Sequence, residues 1–179
     1  MRREQLVVLV NGKPATGKTT IAKKFAKRLG VPFVGRDDIK EKLFDTLGVG
    51  NREWSRKMGK ASFDLMYYVV EKLLQTGQSF VVETVFESQF ANQKWDELIS
   101  QFGFKLIQVV CETDDEIRIK RFIDRNENGQ RHPGHVDHNN YQKQKIDFDP
   151  INCSHQLLFV NTNNFERVDI NSIVEEFIT

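Results

Sequence analysis

Cysteine is scarce: Cys111 and Cys153 are the only two in 179 residues. That is too few for a disulfide framework or a paired-cysteine metal site, and Cys111 lies in an apolar run as a small packing residue. An excess of charge of one sign is also missing. Lysine and arginine total 26 against 25 aspartate and glutamate, a net charge of +1. No global field therefore draws the chain to nucleic acid or a membrane surface, although a local basic cleft can sit inside a neutral total. Long hydrophobic runs are absent too. The apolar stretch behind Met1-Arg2-Arg3-Glu4-Gln5 is too short for a signal peptide or a membrane span, so a cytoplasmic protein without a membrane partner is expected. There is no internal repeat and no low-complexity segment. With 39% hydrophobic and 28% charged residues, the composition fits an ordinary globular chain, and residues 1–179 suffice for one domain with a substantial core.

What is present is a strand that runs straight into a loop of particular composition. Val7, Val8, Leu9, Val10 and Asn11 are followed by Gly12-Lys13-Pro14-Ala15-Thr16-Gly17-Lys18-Thr19-Thr20, which contains Gly-x-x-x-x-Gly-Lys-Thr. Ile21, Ala22, Phe25, Ala26 and Leu29 then recur at one-face helical spacing, and Gly30 is placed to stop that helix. Strand before and helix after is the context a phosphate-binding loop requires; a tight strand–helix turn is the plainer alternative. In the first reading the glycines let backbone N–H groups turn inward around a polyphosphate, and the helix N-terminus adds its positive dipole end. Residues 12–20 would hold the nucleotide, Lys18 would reach the β- and γ-phosphates, and the Thr19 hydroxyl would ligate Mg²⁺.

Apolar runs at about 6–11, 32–35, 79–85, 105–112 and 156–161 alternate with amphipathic helical stretches. This predicts an α/β fold: a parallel five-stranded sheet covered on both faces, the three-layer α/β/α fold of P-loop nucleoside triphosphate hydrolases. After the second strand comes Gly35-Arg36-Asp37-Asp38-Ile39-Lys40-Glu41. Asp38 and Glu41 have capping-box spacing, which leaves Asp37 over. In a doubly wound sheet this loop lies at the carboxyl ends of the strands, beside the phosphate loop. A carboxylate there can take the proton of an attacking hydroxyl; a loop or capping role is the alternative. A long helix is expected from about 54 to 75, with Met58, Ser62, Leu65, Met66, Val69, Val70, Leu73 and Leu74 on its core face and Gly77 closing it. Its early part, with Arg52, Trp54, Arg56 and Phe63, is either a solvated first turn or the wall of an acceptor pocket. Ser79-Phe80-Val81-Val82-Glu83-Thr84-Val85-Phe86 is a near-continuous apolar strand with an acid near its end, where a carboxylate can hold Mg²⁺ directly or through water; a charged strand terminus is the alternative. The next helix, with Phe90, Leu98, Ile99 and Phe102, reads as packing.

Thr113 and Glu116 have capping-box spacing ahead of a helix on which Arg118, Arg121 and Arg125 form a stripe, beside a core stripe of Ile119, Phe122 and Ile123. The helix leads into a turn-rich segment, so residues 118–138 read as a lid. Its arginines either face solvent or close over a γ-phosphate, with at least one of Arg121, Arg125 and Arg131 in that role. His132, His135 and His138 are regularly spaced, but Pro133 and Gly134 break any helix that would align them and no cysteine joins them. Contact with phosphate or acceptor, or a solvated loop, is expected over metal ligation. The last strand runs into Asn161-Thr162-Asn163-Asn164 without an Asn-Lys-x-Asp guanine-reading motif, which favours ATP over GTP. Ile170, Ile173, Val174, Phe177 and Ile178 are expected on a packing helix.

With these residues assembled, the chain resembles the small P-loop kinases of AAA type, a family that includes zeta toxins, chloramphenicol phosphotransferase and the kinase domain of phage polynucleotide kinase. The resemblance is strongest over residues 12–42. Arg36-Asp37-Asp38 looks like the Arg-Asp-Asp of the polynucleotide kinase domain, whose first Asp is the general base, and this implies that role for Asp37. Val82-Glu83-Thr84 sits where the family has an acid-Thr pair, and Arg121 with Arg125 or Arg131 where it has lid arginines. Lys40 departs from the pattern, standing in place of the family's acceptor-binding arginine, which argues against a polynucleotide phosphate there. Arg131-His132-Pro133-Gly134-His135 looks like a lid motif of uncharacterised bacterial kinases of this type. The expectation is a kinase using ATP and Mg²⁺ to phosphorylate a hydroxyl of a small molecule. Lys18, Asp37 and the lid arginines would be catalytic, and Thr19 and Glu83 would serve the metal. A 5′-hydroxyl polynucleotide kinase and an ATPase or switch without an organic acceptor are the alternatives.

Overall fold

The computed structural model describes residues 4–136 and 148–177. Five strands, β1 (Leu6–Asn11), β2 (Phe33–Gly35), β3 (Phe80–Glu83), β4 (Lys105–Glu112) and β5 (Gln156–Asn161), form one sheet in the order β2-β3-β1-β4-β5. Every neighbouring pair is parallel. The helices are α1 (Lys18–Leu29), α2 (Arg36–Leu47), α3 (Arg52–Gln75), α4 (Ser88–Phe102), α5 (Asp115–Glu127) and α6 (Ile170–Phe177), with a short 3₁₀ turn at Phe165–Arg167. The α/β class and the all-parallel five-stranded sheet are those read from the sequence.

Alternation along β1 divides the core into two layers. Val7 and Leu9 pack with Met66, Val70 and Leu74 of α3 and Trp95 and Leu98 of α4. Val8 and Val10 face the other way, onto Ile21, Ala22 and Phe25 of α1 and Ile170 and Val174 of α6. Burial on both faces is why this strand reads as one continuous apolar run. Strand order reverses about β1, whose neighbours β3 and β4 lead to opposite edges. The crevice at its carboxyl end is therefore a topological switch point, where ligands bind in such sheets. Among the described residues no helix is long and apolar enough to cross a membrane.

Four local expectations differ from what is seen. Asp38 does not cap α2, which starts earlier, at Arg36 with Gly35 as N-cap; the Asp38 carboxylate turns out to Lys23, 3.5 Å away. Thr113 does not cap α5 either, because its hydroxyl donates to Asn163 Oδ1 at 2.8 Å. On α3 the buried stripe is Ser55, Met58, Ser62, Met66, Val70 and Leu74, while Leu65 and Val69 are exposed. A single contact line against the sheet covers a narrower face than the hydrophobic pattern suggested. Phe90 is not a packing residue, being 74% exposed on α4. His138 and Ile178 lie outside the described residues.

Candidate active site

The loop between β1 and α1 is shaped by two glycines that nothing larger could replace. Gly12 has φ 134°, and a Cβ there would come within 2.5 Å of the Cys111 carbonyl. Gly17 has φ 83°, and a Cβ there would run into the Phe165 ring. Between them Ala15 holds φ 63°, a conformation costly for a residue with a side chain. Asn11, fully buried, straps the loop down: its Oδ1 accepts from the N–H groups of Gly12 and Phe86, both at 2.9 Å, and its Nδ2 donates to the Phe86 carbonyl at 3.1 Å. Lys18 Nζ folds back to donate to the Lys13 carbonyl at 2.8 Å. Burial lowers the Lys18 pKa, and the Glu83 carboxylate is the largest opposing influence.

The other loops at the same sheet end supply carboxylates. Glu83, the last residue of β3, is buried, and its Oε2 accepts from the Thr19 hydroxyl at 3.0 Å. Burial raises its pKa against the pull of Lys18. Asp37 lies in the first turn of α2, with Arg36 Nη2 donating to its Oδ1 at 2.6 Å. Burial alone would push the Asp37 pKa up, but Arg36 foremost, then His135 and Arg131, outweigh it and hold it at about 2. The Arg36 guanidinium lies 4.8 Å over the Phe63 ring, and its buried Nε has no hydrogen-bond partner.

These groups line one cleft of about 270 Å³: Lys18, Thr19, Asp37 and Glu83, together with Arg118, Arg125 and Arg131. Phe122, the buried residue of α5, holds two of the arginines, with the Arg125 and Arg131 guanidinium carbons each 5.9 Å from its ring centre. Arg121 is placed elsewhere. Its Nη2 donates to the carbonyls of Thr162 at 2.7 Å and Asn163 at 3.1 Å, and its guanidinium lies 4.3 Å over Phe165. Thr162 in turn donates to the Thr16 carbonyl at 2.6 Å. Arg121 thus props the wall behind the phosphate loop, and Arg118 takes the cleft-facing position expected of it. Arg118, Phe122 and Arg125, at i, i+4 and i+7, share the face that looks into the cleft.

The histidine segment grips α2. His135 is buried with Nε2 3.0 Å from Glu41 Oε1, and His132 Nε2 is 3.2 Å from Asp45 Oδ1. The Gly134 N–H donates to His132 Nδ1 at 3.0 Å, so Nε2 carries the proton that points at Asp45. His132 stacks on Phe44 at 5.5 Å and His135 meets the same ring edge-on at 6.0 Å. Gly134 is pressed so close to that ring that a Cβ would collide with it. Both imidazoles are thus turned to carboxylates on successive turns of α2, immediately after Arg131. Among the described residues no three His, Cys, Asp or Glu side chains converge as a metal cluster. The Thr19 hydroxyl and Glu83 carboxylate nevertheless suit Mg²⁺, a hard cation that takes one or two protein oxygens beside substrate phosphates and water.

Sequence reasoning missed Asn11, Arg36, Arg118 and Phe122 as site builders. Arg36 had a signal, its adjacency to Asp37; Asn11 had none, because beyond the neighbouring Gly12 its partner is Phe86 in the turn after β3, 75 residues on.

Comparison with known proteins gives a consistent picture. The family described as AAA domain matches residues 7–151, well over half of the chain. A crystal structure of a candidate kinase from Chloroflexus aurantiacus superposes with a TM-score of 0.88 at 32% identity, covering 97% of this chain and 96% of that one. The L-seryl-tRNA(Sec) kinase of Methanococcus maripaludis is 22% identical over 97% of this chain and 65% of its own length. The APS kinase of Mycobacterium tuberculosis, in complex with AMPPNP and APS, shares the fold alone, with a TM-score of 0.57 at 16% identity over 97% of this chain and 95% of that one. The chain spans 25 to 65% of the length of the curated relatives it matches.

Proposed function

The chain belongs to the AAA domain family, a P-loop kinase-like group, and from that premise we propose that it transfers the γ-phosphate of ATP to a hydroxyl of a small molecule. The observation that carries this reading is Asp37, a carboxylate held ionised in the same cleft as the phosphate loop, Glu83 and three arginines. Lys18 and the backbone N–H groups from Gly17 to Thr20 at the start of α1 bind the polyphosphate, those of Gly12 and Thr16 being donated to Asn11 and Lys13. Thr19 and Glu83 would hold Mg²⁺, which when bound would neutralise phosphate charge. Arg118, Arg125 and Arg131 face the γ-phosphate, where charge builds in the transition state. The acceptor oxygen forms its bond to the γ-phosphorus as the bond to the β,γ-bridging oxygen breaks, and ADP leaves. The acceptor proton passes to Asp37. A carboxyl with a pKa of about 2 cannot deprotonate a resting alcohol, so Asp37 orients the hydroxyl and takes the proton late, once phosphorus–oxygen bonding has made it acidic.

A small acceptor is favoured over a polynucleotide. Lys40, the position at which the resemblance would place contact with an acceptor phosphate, is buried, its Nζ 5.5 Å over the Phe44 ring. ADP release measured over a panel of small alcohols and 5′-hydroxyl oligonucleotides tests the reading. Lys18→Ala and Asp37→Ala should each lower turnover by roughly 10²-fold or more with folding intact. ADP release that no alcohol accelerates would leave an ATPase, and an Asp37→Ala protein with normal transfer would remove the proposed base.

A further inference from the structure

A second cavity, of about 300 Å³, opens beside the catalytic cleft between α3 and α4. Val85 lines both. Arg36, in the wall of the first, stacks on Phe63, in the wall of the second. Four rings line it, Phe63, Tyr67, Phe86 and Phe90. The inner part is packed: Tyr67 and Phe86 meet the fully buried Trp95, at 6.1 and 5.7 Å. The rim is Phe90, a ring left 74% open to water. The charged residues lining the cavity are both acidic, Asp64 and Glu87, and among the described residues neither is in an ion pair. Burial pushes the Tyr67 hydroxyl up to about 12, so it stays neutral. Nearby cations are already matched, Arg36 by Asp37 at 2.6 Å and Lys94, near the Tyr67 ring, by Glu71 at 2.7 Å.

We propose that this cavity receives the body of the phosphoryl acceptor, and that the acceptor is an alcohol with a flat apolar ring and a protonated amine. The inference rests on the kinase reading above. A volume of this size is at the lower end of small-ligand sites, enough for one ring and a short chain. The ring covers Phe90 and removes its face from water. The amine meets aromatic faces and two carboxylates, each of which attracts a cation. The hydroxyl, on the side of Val85, enters the cleft toward Asp37. An anionic acceptor would instead lose hydration beside two like charges, which sets this cavity against nucleotides, polynucleotides and sugar acids.

Calorimetry on the full chain tests this with three probes sharing one ring: phenylalaninol, a cation; N-acetylphenylalaninol, neutral; and phenyllactate, an anion. Heat from Mg²⁺ and ADP is recorded first, and each alcohol is then titrated into the saturated protein. Phenylalaninol should bind about tenfold tighter than its acetylated form, with phenyllactate weaker still. The double variant Asp64→Asn, Glu87→Gln should erase the preference for the cation while nucleotide heat is unchanged, and Phe90→Ala should weaken all three. Equal or tighter binding of phenyllactate, a preference that survives in the double variant, or no heat with phenylalaninol at millimolar concentration overturns the proposal. Missing nucleotide heat sinks the kinase reading instead, and because it is read before any alcohol is added the two failures are distinguishable.

Discussion

Asp37 and Asp38 are neighbours with the same side chain and opposite situations. Asp38 faces Lys23 at the surface, 3.5 Å away, while Asp37 lines the cleft with Arg36 at 2.6 Å. A carboxyl depressed to about 2 in the folded chain, against 3.8 ordinarily, adds stability above the ordinary value and loses it as pH falls from there to about 2. The side chain is 45% exposed, so water screens much of this and about 1 kcal/mol remains. Asp37→Asn should therefore lower the free energy of urea unfolding by about 1 kcal/mol near neutral pH, and the loss should shrink steadily below about pH 4. A deficit that stays constant down to about pH 3 would show that the Arg36 pair contributes nothing through charge.

At the scale of elements, α5 and the segment after it act as one device. Phe122 seats Arg125 and Arg131, Arg121 faces the back of the phosphate loop, and His132 and His135 fasten the segment to Asp45 and Glu41 of α2. The element that carries Asp37 is thus joined to the one that carries the arginines. Gly134 is the tight point, because its backbone lies against Phe44. Gly134→Ala should push the histidine segment off α2 and carry Arg131 out of line. A lid arginine is worth about 10³–10⁵ in rate, so even partial misplacement should lower kcat roughly tenfold or more. KM for ATP should change little, since the phosphate loop does not touch this contact. A variant with normal kcat would show that the grip on α2 does not position Arg131. The arginine stripe was legible as charge, but helical periodicity alone could not say which arginine faces the cleft.

For the molecule as a whole, the cleft joins the ends of β1, the β2–α2 junction, β3 and α5, so a nucleotide bound there ties both core layers together. Mg²⁺ and ATP at about 100 times Kd should add about 2.7 kcal/mol of stability and raise Tm by roughly 5–10 °C. Scanning calorimetry should show that rise, and Lys18→Ala should remove most of it; an unmoved Tm in the parent chain would contradict nucleotide binding. Sequence by itself determined the five strands, the loop between β1 and α1 and the carboxylates at strand ends. These follow from patterns within a few residues: apolar runs of strand length, glycines where φ is positive, a lysine and a threonine at set spacing. Only the tertiary structure decided that Arg118 rather than Arg121 faces the cleft, that Asp38 caps nothing, that the histidines bind α2 and that Phe90 rims a cavity. Those outcomes depend on partners such as Glu41 for His135, 94 residues apart, and Thr16 for Thr162, 146 apart. Contacts across such separations arise from how the layers stack, and no local pattern encodes them.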